Sequence, residues 1–382
     1  MPALADSDPL KWKYDLHTRI KHEILVGYLD AWTTVLGNSP AGLAYVDAFA
    51  GRGRYEGGEP GSPLLVIRTM LDAMSSRRIT ASRVSFHFVE QDPKNALNLE
   101  QELKDYVPAH DPRVEYRLYP NAFASVSDNI VADIRQRGQP SFFFVDPFGY
   151  DDAPLEILQR ILRLPRAEVF INLMYDFASR AVGVSGNPAL ALTLDGLFGT
   201  NAWRGVAGLT GQAREKRFVA IYGARLKEAG AAHVLPFRMG DDARERTLYY
   251  LLHATKHVKG LSIMKDMMVD SSSPGNFGYA GEQRHQMLPL FDFDVADLPS
   301  FLQRTLGGQI FTFDAIIEST LEETGTCRER DYRSCLKDME RRGQITVERV
   351  TSKSRQGLSG NDRISFPATS PATQGGFTFG DT

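Results

Sequence analysis

A chain of 382 residues that is 42% hydrophobic and 24% charged has the composition of a globular protein and the length for one large domain or two. Its formal net charge of −3 gives no global attraction to nucleic acid, so any phosphate contact requires a locally basic face. No apolar run approaches the ~20 residues of a bilayer span, and the start has no basic segment leading into an apolar one, so the expectation is a cytoplasmic protein.

The first forty residues are expected to form a basic amphipathic helix over 11–36. Ile20, Ile24, Leu25, Tyr28, Leu29 and Trp32 recur at helical spacing, and Lys11, Lys13, Arg19, Lys21 and His22 occupy the other face. Asn38-Ser39-Pro40 ends it. A strand at 43–48 runs into a glycine-rich loop, and Ser62-Pro63 reads as an N-cap with proline in the first turn of a helix through Met74. Further strands are expected at 84–89, 114–118, 141–145 and 169–172. Helices alternate with them from Pro93 to Leu103, from Ala122 to Arg137 and over 154–163. Strands that are near-continuous apolar runs, alternating with helices, imply a parallel sheet covered on both faces.

Residues 181–232 interrupt that rhythm as an insertion. Gly183, Gly186 and Pro188 suggest loops, followed by a helix around 212–229. Val234–Arg238, a Gly-Asp-Asp turn and Thr247–Thr255 then predict a hairpin, which would place one antiparallel strand in the parallel sheet. That arrangement is typical of methyltransferase folds and unusual in dehydrogenases. A helix over 258–268 and a mobile loop from Ser271 to Gly281 complete a domain expected to span 41–300. Residues 310–366 read as a separate module: helices Phe313–Glu323 and Arg328–Arg342, then a ribbon of 344–350 and 363–366. Helix, helix and basic wing is a winged-helix-like layout, and Arg328–Arg363 holds ten Lys/Arg against six Asp/Glu. The tail 367–382, rich in Thr, Gly and Pro, is expected to be disordered. The only cysteines, Cys327 and Cys335, offer neither a disulfide framework nor a zinc site. His253 and His257, four apart around a strand, are too distant to share a metal, so none is expected.

Two strand ends carry the chemistry. Tyr45-Val46-Asp47-Ala48-Phe49-Ala50-Gly51-Arg52-Gly53 is a strand ending in a tight turn where a cofactor can approach the backbone. Glycines at 51 and 53 leave amides open to an amino-acid moiety, Phe49 lies within the turn, and Asp47 is placed to pair with an ammonium group. Glu90, at the end of the second strand, suits ribose hydroxyls, with Asp92 as the alternative. Asn121, after the third strand, either meets an adenine or forms a turn.

The fourth strand ends in Asp146-Pro147-Phe148-Gly149-Tyr150. An amine attacking a methylsulfonium needs its lone pair aimed at the methyl. The Asp146 carboxylate and Pro147 carbonyl can accept that amine's hydrogens, and Phe148 or Tyr150 can stack on a flipped base. Asn172, Asp176 and Arg180 follow the fifth strand at the same edge. Arg180 either holds a phosphate or carboxylate or is a helix-surface charge. Together the strand ends imply an α/β fold: a Rossmann-like class I methyltransferase sheet with helices on both faces, plus the winged-helix-like module. The cofactor expected is S-adenosylmethionine (SAM), and the acceptor an exocyclic amine of an RNA or DNA base. Lys11, Lys21, Arg341, Arg342, Lys353 and Arg355 are the candidate phosphate contacts. The alternative is a non-catalytic scaffold of the same fold.

Four segments carry a family resemblance: Lys13–Leu25, Tyr45–Tyr55, Gly57-Gly58-Glu59-Pro60-Gly61-Ser62-Pro63, and Asp146-Pro147-Phe148-Gly149. In this order they resemble the three-Cys-motif partner (TcmP) family, over most of the chain including His253–Met268. The resemblance implies a methyltransferase-like Rossmann domain and a partner with three clustered cysteines, similar to radical-SAM iron–sulfur proteins. Those cysteines belong to the partner, and this chain has no such cluster. The Asp-Pro-Phe-Gly tetrapeptide is also similar to that of tRNA guanine-N2 methyltransferases.

Overall fold

The computed structural model describes residues 13–107, 111–147, 149, 152–183, 187–241, 246–273, 277–280, 293–350 and 357–368. The chain divides into two compact units, Met1–Leu290 and Phe291–Thr382. The first begins with α1 (Leu16–Leu36), where Asp15 accepts a hydrogen bond from the Thr18 amide at 2.8 Å. That cap sets the start of the helix, so residues 13–15, expected to be helical, are not.

Then follow β1 (Leu43–Asp47), α2 (Ser62–Ser75), β2 (Val84–Val89), α3 (Pro93–Tyr106), β3 (Val114–Tyr119), α4 (Phe123–Arg137), β4 (Ser141–Val145), α5 (Leu155–Leu162) and β5 (Ala167–Leu173). All residues of β1, β2 and β4 are buried, which is why they read as unbroken apolar runs. Each large side chain so buried contributes about 1.5–3 kcal/mol. Tyr28 and Trp32 of α1 lie 5.3 and 6.3 Å, ring to ring, from Phe142 of β4, laying this helix over the middle of the sheet.

After β5 come α6 (Tyr175–Gly183), then, where loops were expected, α7 (Pro188–Phe198) and a 3-10 turn at Ala202–Val206, and then α8 (Gly211–Glu228), the helix expected around 212–229. Pro188 opens α7 rather than breaking the chain, with Asn187 capping the Ala189 amide at 3.0 Å. The hairpin is β6 (His233–Asp241) and β7 (Arg246–Thr255), followed by α9 (Val258–Asp270). The stretch expected as a mobile loop contains β8 (Gly278–Tyr279), which pairs parallel with β6.

The sheet order is β3-β2-β1-β4-β5-β7-β6-β8. β1 to β5 are parallel and β7 runs antiparallel to both its neighbours. This is the class I methyltransferase arrangement. The order reverses between β1 and β4, where doubly wound sheets bind ligands at their carboxyl edge. The edges are blunted by charged Glu115 and Arg117 on β3 and by the two-residue β8.

The second unit holds α10 (Leu298–Leu306), β9 (Ile310–Thr312), α11 (Phe313–Thr320), α12 (Glu329–Arg341), β10 (Thr346–Glu348) and β11 (Arg363–Ser365). The three strands form one sheet in the order β10-β11-β9. The expected ribbon thus gains a third strand, β9, too short to announce itself by alternation. Tyr332 of α12 is buried and hydrogen-bonded to the hydroxyls of Thr320 and Thr324, both at 2.9 Å, which ties α12 to α11. Among the described residues no helix is long and apolar enough to cross a membrane.

Candidate active site

Strand register brings the two chemical segments together. Asp47, the last residue of β1, stands opposite Phe144 of β4, so Asp146 emerges two residues beyond it at the same edge. On the other side Ile171 of β5 pairs with Val145, which sets Asn172 level with Asp146. The Asn172 amide accordingly donates to Asp146 Oδ1 at 2.9 Å. Lys21 of α1 reaches the other carboxylate oxygen as an ion pair, with both side chains largely shielded.

A cavity of about 450 Å³ opens at this point. Its wall includes Lys13, Lys21 and His22 from the amino-terminal segment, Phe49 and residues 50–55 of the turn, Gly61, Ser62 and Asp146. The turn is built for close approach. Gly51 and Gly53 have φ of 65° and 94°, which residues with a Cβ rarely adopt. A Cβ on Gly53 would also meet Glu102 Cγ at 3.2 Å. The loop closes on itself through Gly61 N to Gly53 O at 2.8 Å and a bridge between Arg54 and Pro60.

The expected site residues divide into three groups. Phe49, Gly51, Gly53 and Asp146 share the cavity wall, and Pro147 is buried beside it in sequence. Asp47, Glu90 and Asn121 are not on the wall. Asp47 is completely buried and accepts from Ser62 Oγ at 2.7 Å, the Phe49 amide at 3.3 Å and Tyr45 Oη at 3.3 Å. Burial pushes its carboxyl up to about 7 against the pull of those donors. Ser62 is therefore not the cap of α2, which is Gly61; its hydroxyl is spent on Asp47. Glu90 accepts from the Asp92 amide at 2.8 Å and from the Gly51 backbone, and burial raises its carboxyl. It thus braces the glycine turn from behind. Asn121 is exposed after β3.

The third group lies away from the cavity or outside the described residues. Phe148, Tyr150, Lys11, Lys353 and Arg355 are outside them. Arg180 is exposed and paired with Asp176 at 3.2 Å, four residues earlier on α6. Arg341 and Arg342 are exposed at the end of α12, Arg341 with Asp338 at 2.8 Å. Lys21 departs from its expected place on a solvated face. It is buried, because the face of α1 that carries it turns toward Asp146.

Sequence reasoning also left out His22, Tyr14 and Tyr55. Their rings meet pairwise at 5.1 to 6.0 Å. His22 is 3% exposed, its Nδ1 has no hydrogen-bond partner, and burial drives its pKa down to about 3, so the ring is neutral. The signal lay in Lys13–Leu25, where a histidine sits on the polar side of a helix that has an apolar side already and a tyrosine just precedes that helix.

No protein-family model matches the chain, and no curated protein matches its sequence. Among solved structures it is similar to Trm1 from Pyrococcus horikoshii with S-adenosyl-L-methionine, at 11% identity and a TM-score of 0.40 over 68% of this chain. The match spans 62% of that protein's length. The methyltransferase domain of bacterial CtHen1-C is similar at 12% identity and a TM-score of 0.31, over 63% of this chain and 97% of that one.

Proposed function

We propose that this chain is a SAM-dependent methyltransferase acting on an exocyclic amine of a nucleic-acid base, together with a three-cysteine-motif, radical-SAM-like partner. The observation that carries the enzymatic reading is the meeting of the glycine turn and Asp146, itself held by Asn172, on the wall of one cavity at the reversal of the sheet. The residues fit the cofactor: positive-φ glycines leave room at the turn, and Arg52 offers a polar group on the same wall. When bound, SAM supplies an activated methyl on a sulfonium. Asp47 and Glu90 hold the turn in shape from beneath. Asp146 accepts an N–H of the acceptor amine and aims its lone pair, and Asn172 fixes the carboxylate plane. The helix–helix–ribbon order of the second unit, with exposed Arg341 and Arg342, supports a winged-helix-like contact to phosphates. The iron–sulfur partner rests on the family resemblance alone.

One observation favours a second reading, a scaffold that docks the partner and nucleic acid: Asp146 already has both oxygens engaged by Lys21 and Asn172. The decisive experiment incubates the full chain, with and without its partner, with labelled SAM and total nucleic acid. Label in a nucleic-acid fraction that is lost in Asp146→Ala supports the enzyme. Absence of SAM binding by calorimetry, with Asp146→Ala fully active in cells, leaves the scaffold.

A further inference from the structure

A bare carboxylate at an acceptor site attracts any ammonium ion, and protonated aliphatic amines are abundant. Asp146 is not bare. Lys21 Nζ is its ion-pair partner, and Lys21 has 10% of its side chain exposed against 18% for Asp146. The surrounding wall adds to the positive side: Lys13, Lys21, Arg52 and Arg54 face only Asp15 and Asp146 among the charged residues of the cavity. Arg54 is balanced by Glu102 at 2.8 Å, whereas Lys13 and Arg52 make no ion pair among the described residues. A second cation approaching Asp146 would meet the largely shielded Lys21 ammonium at close range, where Coulomb terms are little screened.

We propose that Lys21 is a specificity-determining residue that makes the acceptor site reject protonated amines and admit neutral, conjugated ones. This inference rests on the methyltransferase reading and sharpens its substrate class. A nucleobase amine is uncharged at neutral pH because its lone pair is delocalised into the ring. It can donate an N–H to Asp146 alongside Lys21 without adding charge. The phosphates attached to such a base suit Lys13 and Arg52 on the same wall. Aliphatic amines such as lysine side chains or polyamines bring a positive charge and no anion to offset it.

The test compares the full chain with Lys21→Met and Lys21→Arg, titrating spermidine and cytidine 5′-monophosphate by calorimetry, each with and without S-adenosylhomocysteine. The expected result is weak spermidine binding in the wild type and at least a tenfold gain in Lys21→Met, with Lys21→Arg keeping the exclusion. Lost folding or packing does not produce a gain of that kind, and rescue by arginine reports charge rather than shape. A Lys21→Met protein that binds S-adenosylhomocysteine normally and excludes spermidine as the wild type does overturns the inference. Failure of every form to bind S-adenosylhomocysteine counts against the methyltransferase reading itself, while the cofactor-free titrations still decide the role of Lys21.

Discussion

Lys21 and Asp146 stand 125 residues apart in sequence and form an ion pair inside the candidate active site. The contact fastens the amino-terminal helix to the carboxyl end of β4. Removing one partner of a shielded pair leaves the other charge uncompensated, at a cost of about 3 kcal/mol. Asp146→Ala is therefore expected to lower stability by that order as well as abolish methyl transfer, and Lys21→Met to cost a comparable amount. The double variant Lys21→Met/Asp146→Ala should recover part of the loss. Urea unfolding of the four proteins measures the coupling; purely additive losses would show that the pair contributes nothing of its own.

Asp47 gives the fold a pH dependence of defined sign. Its carboxyl titrates near 7 in the folded protein against 3.8 as an ordinary aspartate, because burial disfavours its charged form. The folded state thus holds a proton that the unfolded chain has released between those values, and stability falls as pH rises through that window. The shift corresponds to a loss on the order of 4 kcal/mol. Asp47→Asn, which cannot ionise, should be more stable relative to wild type at pH 8 than at pH 5. A difference between the two proteins that stays constant with pH contradicts this.

His22 acts in the opposite direction. Its folded pKa of about 3 lies below the ordinary 6.5, mainly because burial penalises the imidazolium, with Lys21 adding repulsion. The unfolded chain takes up its proton first, so stability is lost as pH falls from 6.5 toward 3. His22→Phe keeps an aromatic ring against Tyr14 and Tyr55 and removes the titration. It is expected to flatten the acid limb of a melting-temperature profile while leaving the neutral region within a few degrees. An unchanged acid limb would mean that the imidazole is charged in the fold.

Much of the fold was legible because the central strands are buried on both faces. Phe142–Val145 and Val84–Val89 could hardly be anything but interior parallel strands. The antiparallel β7 was readable for a different reason, a turn of polar residues between two β-forming runs. β8 and β9 were not readable, since two or three residues carry no period. The site was legible in part: glycines at a strand end announce a turn, and an aspartate after an aromatic strand announces a polar edge. Position along a strand does not reveal which way a carboxylate is spent. Asp47 therefore looked like a ligand for an ammonium group, yet its oxygens hold Ser62 and the Phe49 amide. Likewise Lys21 looked solvated, because helical spacing gives a face but not what that face meets.

Gly53 offers a separation of turn geometry from charge. With φ at 94°, an alanine is strained by about 1–2 kcal/mol, and its methyl would press on Glu102 and Leu99 at 3.2 and 3.3 Å. Glu102 is the partner of Arg54, so the push is transmitted along the loop that ends at Ser62 and hence to Asp47. Gly53→Ala is expected to lower stability by about 2 kcal/mol and weaken binding of S-adenosylhomocysteine at least tenfold. Gly58→Ala is the control. Gly58 also has positive φ, at 89°, but nothing lies within 4 Å of its added carbon and it is not part of the cavity wall. It should show a similar strain in unfolding and little change in calorimetry. Equal losses of affinity in both variants would place the cofactor elsewhere than over the turn at Gly51–Gly53.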